Sequence, residues 1–240
     1  MPIEIKRSFN VKCVMFNVIL LYTLYFTHYT ACFAAPCYGT KLPAKRQVFI
    51  GAQNYTIFKR YLEGEFGKLR SSQYFFLLSY GVFDWLSIDL KVGAGNIKQR
   101  PTTRAEVDYP DNFAGGYGFR LKVYDKKDTK MAFGFQHISV HPKSVHLGNA
   151  KNSAVLDDWQ YSFLVSKDFF KLTPYLGTRW SRVDYIHWTP GSRKRVMSDL
   201  TKSLGLFCGI DMPVGKRSWL NLEGQFLDSA SCAFSLNYNF

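Results

Sequence analysis

The sequence predicts an all-β protein, an antiparallel up-and-down transmembrane β-barrel of about ten strands with a narrow lumen. Three observations lead there. Apolar and polar residues alternate with period two over much of the chain beyond residue 45. Long and short connections between the alternating segments follow one another in turn. No stretch beyond residue 35 approaches the ~20 consecutive apolar residues of a spanning helix, although 47% of the 240 residues are apolar. That apolar share also excludes a disordered chain.

The first segment reads as an export signal. Lys6, Arg7 and Lys12 precede the apolar run Cys13–Phe26, and the small residues Ala31, Cys32, Ala34 and Ala35 follow it. A positive head, an apolar centre of ~7–15 residues and a small-residue site make a secretory signal. The expected division is a signal peptide over 1–34, a short periplasmic lead over 35–45 and a barrel domain over 46–240. Cleavage after Ala34 is the first expectation, and lipidation at Cys32 after Thr30-Ala31 the second. Cys37, Cys208 and Cys232 remain, without a CxxC pair or Cys/His ligand spacing, so no zinc site is expected. No cofactor is expected either.

Strands are expected at 46–58, 73–82, 85–95, 113–124, 129–140, 157–167, 172–184, 201–212, 218–227 and 230–240. The clearest is the last, where Cys232, Phe234, Leu236, Tyr238 and Phe240 oppose Ser231, Ala233, Ser235, Asn237 and Asn239. In SIDLKVGAG, Ile88, Leu90 and Val92 oppose Asp89, Lys91 and Gly93. In GYGFRLKVY, Tyr117, Phe119, Leu121 and Val123 oppose Gly118, Arg120 and Lys122. Longer loops are expected near 59–72, 96–112, 141–156 and 185–200, and short turns between the other pairs. The connection at 227–230 breaks this rule, being short where a long loop is due.

Alternation alone does not say which face is inside. A soluble barrel turns its apolar face inward, whereas a membrane barrel turns it to lipid. Here the smaller face is rich in Gly, Ser and Asn, as suits a narrow polar lumen. The apolar face carries aromatics near strand ends, including Trp159, Tyr161, Trp180, Trp219 and Tyr238, as interfacial girdles do. The closing residues Phe234, Leu236, Tyr238 and Phe240 resemble the assembly signal of Gram-negative outer-membrane β-barrels. The resemblance implies the bacterial outer membrane, periplasmic termini and recognition by the barrel-assembly machinery.

A barrel of this strand number is filled by side chains, unlike the ~16-stranded porins. Asp89, Lys91, Arg120, Lys122, Arg179, Asp211 and Glu223 are expected inside as an ion-pair network, because buried charges need partners. The chain has 31 basic against 18 acidic residues, and the excess falls largely in the expected loops. Arg60, Lys68, Arg70, Arg100, Arg104, Arg193, Lys194 and Arg195 are the candidates for contacting the phosphates of outer-membrane lipid and lipopolysaccharide. Neither motif nor compartment supports a nucleic-acid partner.

One cluster has the composition of an acyl-transfer site. His137 and Ser139 continue the lipid face of Met131, Phe133 and Phe135, and Asp157 shares the face of Trp159 and Tyr161. A base, a hydroxyl and a carboxylate are the elements of nucleophilic catalysis. The His-x-Ser element resembles outer-membrane lipid A 3-O-deacylases, which implies His137 as base, Ser139 as nucleophile and Asp157 as acid. That family carries Asn after the Ser and Glu as the acid, where this chain has Val140 and Asp157. Size and strand number also resemble omptin-like proteases, but Asp157 and Asp158 are expected on opposite faces. A metal held by His137 and His141 ranks below catalysis, because four extended residues separate them by ~13 Å. The leading expectation is therefore a non-enzymatic structural or surface-binding barrel with basic outer loops contacting lipopolysaccharide. The alternative is a lipid-modifying ester hydrolase using His137 and Ser139.

Overall fold

A computed structural model describes residues 39–240; the expected signal peptide, the Cys32 alternative and Cys37 lie outside the described residues. The strands in chain order are β1 (Val48–Tyr61), β2 (Lys68–Phe83), β3 (Leu86–Arg100), β4 (Val107–Lys126), β5 (Thr129–Val140), β6 (Val145–Leu147), β7 (Ala150–Lys167), β8 (Thr173–Thr189), β9 (Ser192–Met197), β10 (Leu204–Pro213), β11 (Ser218–Phe226) and β12 (Ser229–Asn239). Ten of them close into an antiparallel up-and-down barrel. The short strands β6 and β9 only extend the long-loop ends of β7 and β8 as hairpins. Closure runs through β12 beside β1, with Asn237 opposite Gly51, so each of the ten strands has a neighbour on both sides. That leaves no open edge in the closed part of the sheet, which a barrel in lipid requires.

The barrel is turned inside out relative to a soluble one. Leu90 is 49% exposed on its outer wall, while the adjacent Asp89 is 0% exposed within. The same parity puts Tyr74, Phe76 and Leu78 of β2 outside, with Leu206 of β10, Leu222 of β11 and Leu236 of β12. Gln53, Gln73, Gln160, Asn221 and Gln225 are buried inside. An apolar coat around a polar interior is stable only where the surrounding solvent is itself apolar. The chain is a transmembrane β-barrel.

The chain fills its own lumen. Arg120 grips Asp89 with two nitrogens, at 2.9 and 2.8 Å, and Ser79 donates to the same carboxylate. Lys91 donates to Gln136 at 3.0 Å, Gln136 to Gln160 at 2.8 Å, and Gln160 to Asp158 at 2.5 Å. On the facing wall Tyr175 donates to Glu223 at 2.7 Å, and Asn221 donates to Asp211 at 2.8 Å. Lys122, expected in this network, instead pairs with Asp125 at 2.9 Å at the short-turn rim. The register shift between Lys122 and Tyr124 lies beside it, where the strand leaves the lumen.

Towards the long-loop end much of the interior is apolar, not polar as expected. Tyr55, Ile57, Leu69, Phe75, Ile97, Ile138, Val140, Leu156 and Val183 form one buried cluster there. The strand β2 explains part of this, since its run Tyr74–Leu78 is apolar on both faces and sends Phe75 and Leu77 inward. At the other end residues 39–45, expected as a lead, cap the mouth. The Thr40 backbone and hydroxyl donate to Asp211 at 2.8 and 2.6 Å, and Arg120 donates to the Lys41 carbonyl at 2.7 Å. Gly81 lets this segment pass, for a Cβ there would overlap the Ala44 carbonyl.

The short β11–β12 turn has a structural reason. Leu227 adopts φ 82°, a strained value for a non-glycine residue. The tight turn drops Asp228 into the lumen between Arg60 and Arg179, each 2.5 Å away. Gly205 makes room, since a Cβ there would overlap the Asp228 carboxylate. Arg60 also donates to the Ser181 carbonyl at 2.9 Å and to Ser198 at 3.1 Å. Two buried guanidiniums thus depend on one carboxylate. Asp228→Ala should cost about 3–5 kcal/mol, because it leaves those charges uncompensated. Urea titration of the refolded protein in lipid vesicles measures this, and Leu227→Gly should not lower stability in the same assay.

Candidate active site

The sequence element around His137 comes to rest on the outer wall, near the long-loop end of β5 and β7. Period two keeps His137 and Ser139 outward with Phe133 and Phe135, while Ile138 and Val140 turn into the lumen. The β5–β7 register sets Ser139 opposite Asp157 and His137 opposite Trp159. Ser139 Oγ donates to Asp157 Oδ1 at 2.5 Å. On its other side the same hydroxyl lies 2.8 Å from His141 Nε2. His137 Nε2 lies 3.6 Å from Asp157 Oδ1, an ion-pair distance rather than a hydrogen bond.

Of the three residues expected to meet, Asp157 lies beside both Ser139 and His137, but no contact joins His137 to Ser139. His141, not His137, touches the serine. β5 ends at Val140, and the His141 backbone donates to the Phe113 carbonyl at 2.8 Å, holding the residue beside the strand end. His137 is instead packed at a tilt among aromatics, its ring centroid 4.1 Å from Trp159 and 5.4 Å from Tyr117. Phe135 and Tyr161 continue this wall, 5.1 Å apart. An apolar surface therefore runs along the barrel from the serine towards the bilayer interior.

Two residues of the site carried no sequence signal. The β7–β8 register places Asp184 opposite Asp157 on the same outer face. Asp184 is covered by Arg195 at 2.5 Å and Arg182 at 3.2 Å. Arg195, expected on a free loop, is thereby fixed next to the serine site, with its side chain 56% exposed. The register of β7 against β8 brings Asp184 to Asp157, and the β8–β9 hairpin brings Arg195 to Asp184; neither register is encoded in the local alternation.

The other basic candidates scatter. Arg60 does not join the surface: a register shift between Ile57 and Lys59 reverses the parity of β1, and Arg60 turns into the lumen, 2% exposed. Arg70 pairs with Glu106 at 2.5 Å. Lys68 lies 5.7 Å from the Tyr61 ring, which Lys59 and Lys202 also approach, at 4.6 and 4.3 Å. Arg193 stacks over Trp188 at 5.3 Å, Arg100 is exposed, and Arg104 and Lys194 line a cavity at the barrel mouth. Phe234, Leu236, Tyr238 and Phe240 all face outward, and the Phe240 amide still donates to the Val48 carbonyl at 3.1 Å.

No family model matches this chain, and no curated protein does. Among solved structures it is similar to Ail, the attachment invasion locus protein of Yersinia pestis, at 8% identity and a TM-score of 0.42, covering 83% of this chain and 100% of that one. It is similar to the outer membrane protease OmpT of Escherichia coli at 11% identity and a TM-score of 0.37, covering 81% and 95%. The translocator domain of the Neisseria meningitidis autotransporter NalP gives 12% identity and a TM-score of 0.41, covering 81% and 87%. Likeness this distant transfers neither activity nor partners, and the site stands on its own geometry.

That geometry has a direct check. In a cysteine-free background, Ser139→Cys should react readily with a lipid-soluble maleimide, and Val140→Cys should not. Equal labelling of the two would contradict the outward placement of the serine.

Proposed function

We propose that this protein is a barrel of the bacterial outer membrane, with periplasmic termini, that cleaves an ester of a phosphorylated glycolipid such as lipopolysaccharide. The observation carrying this reading is the Ser139 hydroxyl, in contact with both His141 Nε2 at 2.8 Å and Asp157 Oδ1 at 2.5 Å on the outer wall. A soluble substrate does not approach from that side; an acyl chain in the outer leaflet does, along the wall of Trp159, Tyr161 and Phe135.

In the reaction, rotation about the Cβ–Oγ bond swings the serine proton from Asp157 to His141, which must carry its resting proton on Nδ1. Ser139 Oγ then attacks the ester carbonyl carbon while His141 Nε2 takes the proton. The imidazolium returns that proton to the departing alkoxide as the C–O bond breaks, leaving an acyl-serine. Water hydrolyses the acyl-serine by the same route, releasing the fatty acid and restoring the hydroxyl. Asp157 holds the serine and offsets the imidazolium charge. Val140 faces the lumen, so its side chain offers nothing to an oxyanion; the guanidiniums of Arg195 and Arg182 are the cations placed to engage a lipid phosphate.

A second reading is favoured by Lys59, Lys68 and Lys202 gathered around Tyr61. Three ammonium groups about one ring suit a non-catalytic barrel that holds lipopolysaccharide phosphates. Mass spectrometry of lipid A separates the two. Cells making the protein should yield lipid A lacking one acyl chain, and Ser139→Ala or His141→Ala should cut that product by about 10³-fold or more. Unchanged lipid A despite correct membrane insertion would remove the hydrolase reading and leave the binding one.

A further inference from the structure

The long loops enclose a second site, away from the serine. Above the apolar plug lies a cavity of about 380 Å³, at the lower end of the ~300–1,000 Å³ usual for small-molecule sites. It is open to the long-loop side and closed below by Tyr109 and Tyr185, which are 3% and 1% exposed. Phe66 and His187 stand over this floor with ring centroids 5.3 Å apart, and the His187 ring stacks on Tyr185 at 14°. The cavity thus has an aromatic base of stacked His187 and Tyr185, with Phe66 tilted at 55° to His187 as a wall.

Besides the acids Glu65 and Glu106 and the hydroxyls of Thr103 and Thr189, two kinds of polar group line it. Gln99 uses its amide nitrogen on the Phe66 carbonyl at 2.7 Å, and Asn152 uses its own on the Ala150 carbonyl at 3.0 Å. Their side-chain oxygens make no further bond among the described residues, so both remain as acceptors for hydroxyl groups. Arg104 and Lys194 line the same cavity without a carboxylate partner among the described residues. Of the two acids in the lining, Glu106 is held by Arg70, so Arg104 and Lys194 outnumber the remaining carboxylate of Glu65.

We infer that this cavity binds a short saccharide bearing an acidic group. The apolar face of the sugar ring packs on Phe66 with its edge towards His187, the hydroxyls donate to Gln99 and Asn152, and the carboxylate or phosphate meets Arg104 and Lys194. Wholly apolar ligands leave the acceptors unpaired, and simple anions leave the aromatic wall wet; an acidic sugar satisfies both. The same chemistry comes from a free oligosaccharide or from the headgroup of a glycolipid.

The test uses the full mature chain refolded in detergent, with saturation-transfer NMR and calorimetry. The probes are a disaccharide of glucuronic acid and N-acetylglucosamine, cellobiose as the neutral sugar, and acetate as the bare anion. The acidic disaccharide should bind about tenfold or more tightly than cellobiose, and acetate should not displace it. Arg104→Ala with Lys194→Ala should abolish that preference, Gln99→Ala should weaken both sugars, and Ser139→Ala should change nothing. Displacement of the disaccharide by purified lipopolysaccharide would identify a headgroup as the source, and no displacement a free saccharide. Failure of the disaccharide to bind, equal binding of cellobiose, or an unaffected double variant would overturn the assignment. Since Ser139→Ala is silent here, loss of the hydrolase reading would leave this result untouched.

Discussion

Everything in this structure follows from one constraint. In an apolar solvent no backbone amide or carbonyl goes without a partner, so the sheet must close on itself. Closing ten strands leaves an interior too narrow for a water column and too large to leave empty. The chain therefore fills it with its own side chains, and the polar ones must satisfy each other. Asp89 with Arg120, and Asp228 between Arg60 and Arg179, are the outcome. The strained turn at Leu227 makes sense only in this light, because it delivers the carboxylate on which two arginines depend.

The same constraint decides where chemistry can sit. A lumen filled by Asp89 with Arg120 at one end, and at the other by Phe75, Ile97 and Val140 together with Asp228 and its two arginines, offers no open route through the barrel. Function is left to the lipid-facing wall and to the long-loop mouth. The wall presents Ser139, His141 and Asp157 to the side, flanked by the guanidiniums over Asp184. The mouth presents a small aromatic-floored cavity. The two face different solvents, lipid and water, and so suit different ligands.

Much of this was legible in the sequence, because period-two alternation is a local property. All ten barrel strands fall where alternation puts them, and the outward parity of His137, Ser139 and Asp157 follows from it. Strand ends were less legible. β4 begins at Val107, in a stretch interrupted by Pro110, and β8 runs on to Thr189 before turning. That turn does have a local signal, Pro190-Gly191, with Gly191 at φ 78°, as a type II turn requires. What no local pattern shows is register and its shifts. One extra residue between Ile57 and Lys59 sends Arg60 inward. Pairing across β7 and β8 brings Asp184 to Asp157, and the end of β5 puts His141 rather than His137 at the serine.

The central claim is that the barrel is inverted, with lipid outside and its own polar side chains inside. Spin labels placed singly along β3 and β12 in vesicles test it most directly, by relaxation with oxygen, which partitions into lipid, and with a water-soluble nickel chelate. Labels at Ile88, Leu90, Val92, Phe234 and Leu236 should respond to oxygen, and labels at Ser87 and Ser235 to neither reagent, giving a period-two profile. Strong nickel access at the outward positions, or no alternation along either strand, would contradict the account.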